Sequence, residues 1–188
     1  MAAKILRTRI VHQGFAKLLV VTVKDSGGTE FEREIEDRGR AAAVLPYDPI
    51  RRTALMVRLL RAPALYAEGL SELLEAPAGM VEDEHPEETI RREALEEAGL
   101  RLGALEHVVT AWSSPGLSCE RIGLYLAPYS AADRVGQGGG LAVENENITV
   151  VEMPLAELWS LVDRQELTDL KTLTLVLALK LRQPRLFE

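Results

Sequence analysis

The stretch Ala76-Pro-Ala-Gly79-Met-Val-Glu-Asp-Glu84, followed by Arg91-Arg-Glu-Ala-Leu-Glu-Glu-Ala-Gly-Leu100, is the most informative part of the chain. It predicts a glycine loop before a short helix. Glu93, Glu96 and Glu97 stand on that helix at positions i, i+3 and i+4, so their side chains share one face. Like charges on one face repel each other unless a cation lies between them. Oxygen ligands of this kind suit Mg²⁺ or Mn²⁺, and a bound divalent ion suits chemistry on phosphates.

A simpler interpretation of the same residues is a solvated acidic helix face, because glutamate is a good helix former. The residues around the face favour the metal site instead. Gly79 precedes the helix, and a glycine there allows a backbone carbonyl, that of Ala78, to turn toward an ion. Glu84 and Arg92 add charged partners that a merely wet surface does not need.

These residues resemble the signature of the Nudix hydrolases. That signature reads Gly, five residues, Glu, seven residues, Arg-Glu, an apolar residue, any residue, Glu-Glu, any residue, Gly and an apolar residue. The positions that match are Glu84, Arg92, Glu93, Glu96, Glu97, Gly99 and Leu100. Four residues separate Gly79 from Glu84, so the loop is one residue short, and Ala94 is a small apolar residue. The deletion leaves the helical carboxylates in register, and we interpret it as a subfamily trait.

The resemblance implies a role for each of these residues. Glu93 and Glu97 would be direct metal ligands, Glu96 a ligand or a nearby base, and the carbonyl of Ala78 a further ligand. The residues with an implied structural role are Gly79, Glu84, Arg92 and Gly99. The arginine of this set would pair with a glutamate and so orient the loop and the helix. The implied cofactor is Mg²⁺, with Mn²⁺ as the alternative.

A second acidic segment, Val143–Ile148, follows the glycine run Gly138–Gly140. Taken alone, it is best interpreted as a polar turn before a strand. In the ADP-ribose pyrophosphatase branch of the Nudix family, a glutamate-rich loop at this point supplies a catalytic base or an extra metal ligand. The resemblance therefore implies such a role for Glu144 and Glu146, and leaves open which of them is the base.

Further candidates for substrate contact are arginines and a turn. Guanidinium groups suit diphosphate oxygens, although surface arginines commonly serve solubility and salt bridges. Similar arginines in the resembling branch contact the nucleotide or its phosphates, which implies this role for Arg33 and Arg61. The same branch carries a Ser-Pro-Gly turn followed by a glutamate at its substrate cleft. The matching residues here are Gly116 and Glu120, in what is in any case a β-turn.

The whole composition limits the classes of function. The chain has 188 residues and a net charge of −7, and an acidic protein of this kind is a poor general binder of nucleic acid. No apolar run has the length of a membrane span, and no signal peptide is visible. The single cysteine, Cys119, excludes an internal disulfide and fits a reducing compartment, so we expect a cytoplasmic location.

The order of predicted elements indicates an α/β protein. Residues 15–24 and 29–36 read as a β-hairpin across the turn Asp25–Gly28, giving an N-terminal extension, 1–39, before a Nudix domain, 40–188. Further strands are predicted near 41–47, 53–60, 72–76, 104–112, 119–127 and 148–153, and helices from Pro86 to Gly99 and over 154–163 and 168–182. Residues 62–71 read as a loop. The last helix carries a stripe of leucines, assigned to the core or to a subunit interface: Leu170, Leu173, Leu177 and Leu181. We expect the Nudix fold, a three-layer α/β/α sandwich around a mixed sheet.

The resemblance extends over residues 30–182 and is greatest to the ADP-ribose pyrophosphatase and GDP-mannose hydrolase branch. The short loop resembles the GDP-mannose enzymes, whereas Leu45–Pro49 and Ala94–Gly99 resemble the ADP-ribose enzymes. It implies Mg²⁺-dependent hydrolysis of a nucleoside diphosphate sugar, with ADP-ribose to AMP and ribose 5-phosphate as the first expectation and GDP-mannose as the alternative. A non-catalytic nucleotide-sugar-binding domain is a second alternative. Members are homodimers joined through N-terminal strands, and we expect no nucleic-acid or membrane partner.

Overall fold

The computed structural model describes residues 2–141 and 147–188. The chain divides into two units. The first contains the residues up to Arg40 together with Ala111–Ile122, and the second contains Ala41–Thr110 and Gly123–Glu188. The sequence predicts a single boundary, between 1–39 and 40–188. It does not predict that Ala111–Ile122 belongs with the N-terminal residues.

The first unit is built on an antiparallel sheet of β1 (Lys4–Gln13), β2 (Lys17–Lys24) and β3 (Glu30–Asp37), with β2 in the centre. The predicted hairpin is β2–β3, in which Val23 lies opposite Phe31. The strand β1 adds to this hairpin and is not predicted by the sequence pattern. Its residues are exposed throughout, so its apolar and polar side chains do not alternate between a core and solvent.

The second unit contains a mixed sheet in the strand order β10-β5-β4-β9-β8. The short strand β6 pairs with β5, and β7 pairs with β4. The strand bounds are β4 (Arg40–Asp48), β5 (Thr53–Leu59), β6 (Leu73–Glu75), β7 (Ala78–Val81), β8 (Glu106–Trp112), β9 (Arg121–Pro128) and β10 (Thr149–Pro154). The last two residues of β8 and the first two residues of β9 belong to the first unit.

Helices cover both faces of this sheet. Their bounds are α1 (Ala62–Glu68), α2 (Pro86–Ala98), α3 (Leu155–Asp163) and α4 (Leu170–Arg182). On one face, Ile90 and Ala94 of α2 pack with Val44 and Leu55 of the sheet. Alternate residues of the same strands, such as Leu45, are buried on the opposite face. Helix α3 contacts β5 and β10, and α4 bonds to the chain after β6 through Thr172. The expected three-layer α/β/α sandwich is confirmed.

The prediction of a loop over residues 62–71 is wrong, because Ala62–Glu68 forms the helix α1. Pro63 lies in its first turn, and Gly69, at φ 71°, ends it with an N–H bond to the carbonyl of Leu65. No residue of α1 is buried, and its sequence, Ala-Pro-Ala-Leu-Tyr-Ala-Glu, does not separate an apolar face from a polar one, so helical periodicity does not indicate a helix there.

The assignment of the leucine stripe of α4 to the core is also wrong. Leu170, Leu177 and Leu181 are 62%, 38% and 83% exposed. The face turned inward instead carries Leu175 and Leu179, which are fully buried. Since α4 is apolar almost all round, helical spacing alone could not identify its buried side. The subunit-interface interpretation of the stripe stays a prediction.

Among the described residues, no helix combines the length and the apolar character that crossing a bilayer requires.

Candidate active site

The acidic helix α2 has well-defined ends. At its start, the ring Nδ1 of His85 accepts a hydrogen bond from the N–H of Glu87 at 3.4 Å, and Pro86 occupies the first turn. Glutamates in that first turn complement the positive end of the helix dipole. At its end, Gly99 adopts φ 63°, the left-handed conformation that terminates helices. The predicted limits of this helix are confirmed.

The segment before α2 differs from the predicted glycine loop. Gly79 lies within the strand β7, which pairs with β4. The N–H of Val44 in β4 donates to the carbonyl of Pro77 at 3.0 Å and fixes the approach to this strand. The backbone that faces α2 is therefore extended and anchored to the sheet.

Two carboxylates of α2 lie against this strand. Glu97 is 2% exposed, and its Oε2 accepts a hydrogen bond from the N–H of Ala78 at 3.1 Å. Glu93 lies beside Gly79 so closely that a Cβ on that glycine would overlap the Glu93 carboxylate. The missing side chain at residue 79 is therefore what makes room for this acid.

Arg92 joins the acids of this region. It forms ion pairs of 3.2 Å with Glu84, 3.0 Å with Glu93 and 3.0 Å with Glu96. Partial burial opposes its charge, but these carboxylates raise the pKa of Arg92 above its usual value. The nearby side chain of Thr89 and the 3.2 Å hydrogen bond from Arg92 lower the pKa of Glu84. Arg92 therefore holds the start of the helix and its acidic face together.

The oxygen atoms of Glu93 and Glu97 are ligands of the kind that a divalent cation prefers. Over the described residues, no group of three or more His, Cys, Asp or Glu side chains stands ready to hold a metal ion. The carboxylates turn instead toward Arg92 and the N–H of Ala78. Mg²⁺ usually needs one or two carboxylates, with waters and substrate phosphates as its other ligands. Glu93 and Glu97, beside the backbone of Ala78 and Gly79, supply oxygen donors of that kind.

A network of charges around the buried carboxylate of Glu75 lies just before the strand β7. Arg61 forms two bonds of 2.8 Å to the carboxylate of Glu75, and Lys171 pairs with both Glu75 and Asp169. Thr172 accepts the N–H of Ala76 at 2.7 Å. Burial opposes ionisation of Glu75, yet its cationic partners lower its pKa. The network therefore links the residues just before β7 to the start of α4.

The sequence predicts a substrate contact for Arg61 but does not predict its ion pair. In the structure its guanidinium pairs with Glu75. About two-fifths of the side chain, 41%, remains exposed, and the substrate role stays a prediction. A signal for the rest existed: Asp169 stands where an N-cap belongs, and its carboxylate accepts the N–H of Thr172 at 3.0 Å.

The other predicted substrate residues belong to the first unit. Arg33 donates to the carbonyl of Glu32 at 2.8 Å, and its guanidinium lies 4.4 Å from the ring centre of Phe31. Glu120 follows the turn that contains Gly116, and its N–H bonds to the hydroxyl of Ser118 at 3.1 Å. The substrate roles of these residues stay predictions. Glu144 and Glu146 lie outside the described residues.

Comparison with known proteins identifies the class. The NUDIX domain family matches residues 37–174, and the chain belongs to this family. It is a Nudix pyrophosphohydrolase. A GDP-mannose pyrophosphatase of Cronobacter sakazakii is 37% identical over 185 residues, 95% of each chain.

A second relative agrees with this assignment, and a solved structure shares the fold. A GDP-mannose pyrophosphatase of Pectobacterium atrosepticum is 38% identical over 155 residues, 81% of this chain and 79% of the relative. The solved structure described as "Crystal structure of ADP compounds hydrolase" superposes with a TM-score of 0.78. It covers 98% of this chain and 96% of its own at 17% identity, which shows that the two share a fold.

Proposed function

We propose that this protein hydrolyses the diphosphate bond of a nucleoside diphosphate sugar, with Mg²⁺ as cofactor and Mn²⁺ as its substitute. The observation that carries the proposal is the convergence of Glu93 and Glu97 on the strand Ala78–Val81, where Gly79 leaves room for a carboxylate. A domain that only binds a nucleotide sugar would not need this set of acids.

Two substrates fit about equally well. GDP-mannose is supported by the names of the relatives and by the short loop between Gly79 and Glu84. ADP-ribose, which would give AMP and ribose 5-phosphate, is supported by the resemblance of Leu45–Pro49 and Ala94–Gly99 to the ADP-ribose enzymes.

The proposed roles follow from position and chemistry. Glu93, Glu97 and the carbonyl of Ala78 would hold Mg²⁺, and Glu96 would be a further ligand or a base. The bound cation would neutralise diphosphate charge and favour ionisation of the attacking water. Arg92 would offset the negative charge of Glu93 and Glu96 until the cation binds. Glu144 or Glu146 would take the proton of the attacking water.

The expected assembly is a homodimer formed through the N-terminal strands. Apolar side chains of the first unit are exposed there, with Ile5 at 58%, Ile10 at 53% and Phe15 at 85%. A solvated strand with this much apolar surface is stabilised when a second copy covers it. The single cysteine, Cys119, supports a cytoplasmic location.

A hydrolysis panel tests the proposal. The full chain is incubated with ADP-ribose, GDP-mannose and other sugar nucleotides, with Mg²⁺ or with a chelator, and the products are separated by chromatography. A nucleoside monophosphate and a sugar phosphate should form only in the presence of Mg²⁺. A rise in melting temperature with a sugar nucleotide but no product would favour the non-catalytic alternative and overturn the proposal.

A further inference from the structure

The C-terminal end of the acidic helix is covered by the backbone of a glycine-rich segment, Gly136–Gly140. The last carbonyls of an α-helix have no partner within the helix and must find one elsewhere. The carbonyl of Glu97 accepts the N–H of Gly139 at 2.9 Å, and that of Glu96 accepts the N–H of Gly140 at 3.1 Å. The residues that carry the proposed metal-binding carboxylates are thus bound to this segment through their main chain.

Only glycine can make this approach. Gly138 has φ +70°, which side chains rarely adopt, and a Cβ there would overlap the carbonyl oxygen of Glu97. Gly99 has φ +63°, and a Cβ on it would overlap the carbonyl of Gly136. Two backbone segments are therefore packed against each other with no side chain between them.

The same segment also fixes a second point of the chain. The N–H of Ile148 donates to the carbonyl of Gly139 at 3.3 Å. Gly140 is the last residue of the segment that bonds to the end of α2, and Ile148 bonds back to the segment at Gly139. In the sequence, Glu144 and Glu146 lie between these two anchored residues.

We infer that Gly138, Gly139 and Gly140 are positioning residues for the hydrolysis: Gly139 and Gly140 bond the main chain of Glu97 and Glu96, Gly138 allows the close approach, and together they hold the carboxylates that would bind the cation. This inference rests on the proposed function. If the glycine segment served only to end the helix, a substitution in it would lower the free energy of unfolding. The affinity of the folded protein for a divalent ion would not change.

The test compares Gly138→Ala with Gly69→Ala in the full chain. Gly69 ends α1 with φ +71°, nearly the same as Gly138, but a Cβ there meets nothing within 4 Å. Both variants therefore bear the same backbone strain, and only Gly138→Ala pushes on the acidic helix. The affinity for Mn²⁺ is measured by calorimetry. The kinetic constants kcat and KM are measured with a sugar nucleotide as substrate, and folding is checked by the melting temperature.

Gly138→Ala should bind Mn²⁺ about ten- to hundredfold more weakly and lose kcat more than KM changes, as do variants of residues that orient metal ligands. Gly69→Ala should keep wild-type affinity and turnover. Equal affinity and turnover in the two variants would overturn the inference. If Glu97→Gln also kept wild-type Mn²⁺ affinity and turnover, the proposed function would fail. If Glu97→Gln lost affinity and turnover while Gly138→Ala kept them, only the positioning role would fail.

Hydrogen exchange of the wild-type chain decides the matter even if Gly138→Ala does not fold. The amides of Gly139 and Gly140 should exchange slowly, and Mn²⁺ should slow them further because it stabilises the helix end to which they bond. Exchange of these amides at the rate of an open loop, with or without Mn²⁺, would overturn the inference.

Discussion

At the scale of single residues, the contact between Gly79 and Glu93 leaves no room for even a methyl group on residue 79. Replacing Gly79 by alanine should displace the flexible end of Glu93 rather than the backbone, so the fold should persist. The displaced carboxylate should raise the Mg²⁺ concentration needed for half-maximal turnover by about tenfold or more. Turnover at a series of Mg²⁺ concentrations measures this shift.

Gly103→Ala is the matched control for this variant. Its Cβ would meet nothing within 4 Å, and its φ lies outside the left-handed range, so the Mg²⁺ dependence should not change. A Gly79→Ala enzyme with the same dependence as Gly103→Ala would show that Glu93 need not sit beside residue 79.

The residues of the acidic helix could be predicted from sequence because their spacing is a local property. Glu93, Glu96 and Glu97 share a face in any α-helix. The partner of Arg61 could not be predicted in this way. Glu75 is fourteen positions away in the sequence, and only the pairing of β6 with β5 brings it into contact. Charge pairs of this kind depend on tertiary structure, which periodicity does not describe.

At the scale of elements, the buried carboxylate of Glu75 links β6 to α4 through Lys171. Its pKa is lowered in the folded state, so ionised Glu75 stabilises the fold above about pH 4.3, the ordinary glutamate pKa, and this contribution is lost as the pH falls through the lowered value. Glu75→Gln should therefore cost about 2 kcal/mol of unfolding free energy at pH 7, because it leaves the half-buried Lys171 without its acid, whereas the more exposed Arg61 can turn to water. The cost should shrink as the pH falls below about 4.

Denaturant unfolding of wild type and variant at several pH values measures this difference. Glu166→Gln is the control, since Glu166 pairs with Arg164 at 2.8 Å on the surface and its loss should matter little at any pH. A cost for Glu75→Gln that stays constant from pH 7 to pH 3 would contradict the assignment of an ionised, stabilising Glu75.

Elements with strong end signals could be predicted from sequence, and those without could not. Pro86 and Gly99 mark the ends of α2, and the turn at Asp25–Gly28 marks the β2–β3 hairpin. The sequence of α1 is apolar almost throughout, and the apolar residues of β1 stand in adjacent pairs, so neither follows the periodicity of apolar and polar side chains on which such predictions rest.

At the scale of the whole molecule, the exposed apolar residues of β1 predict self-association. Light scattering should give about twice the chain mass of 20.7 kDa. Ile10→Lys should shift the protein toward the single-chain mass, because it places a charge in the surface that the partner would cover. Ile50→Lys, at a turn residue that is 89% exposed, should leave the mass unchanged. A wild-type mass equal to one chain would refute the dimer.

The proposal that acids on one helix enable cleavage of a diphosphate bond is tested most directly by Glu97→Gln. The amide keeps the size of the side chain but removes its charge, so the melting temperature should stay close to that of wild type. Glu88→Gln, on the exposed side of the same helix, is the control. With GDP-mannose and ADP-ribose at saturating Mg²⁺, Glu97→Gln should lose several powers of ten in kcat while Glu88→Gln retains full turnover. Near-normal turnover of Glu97→Gln on the substrate that the wild type hydrolyses would contradict the account.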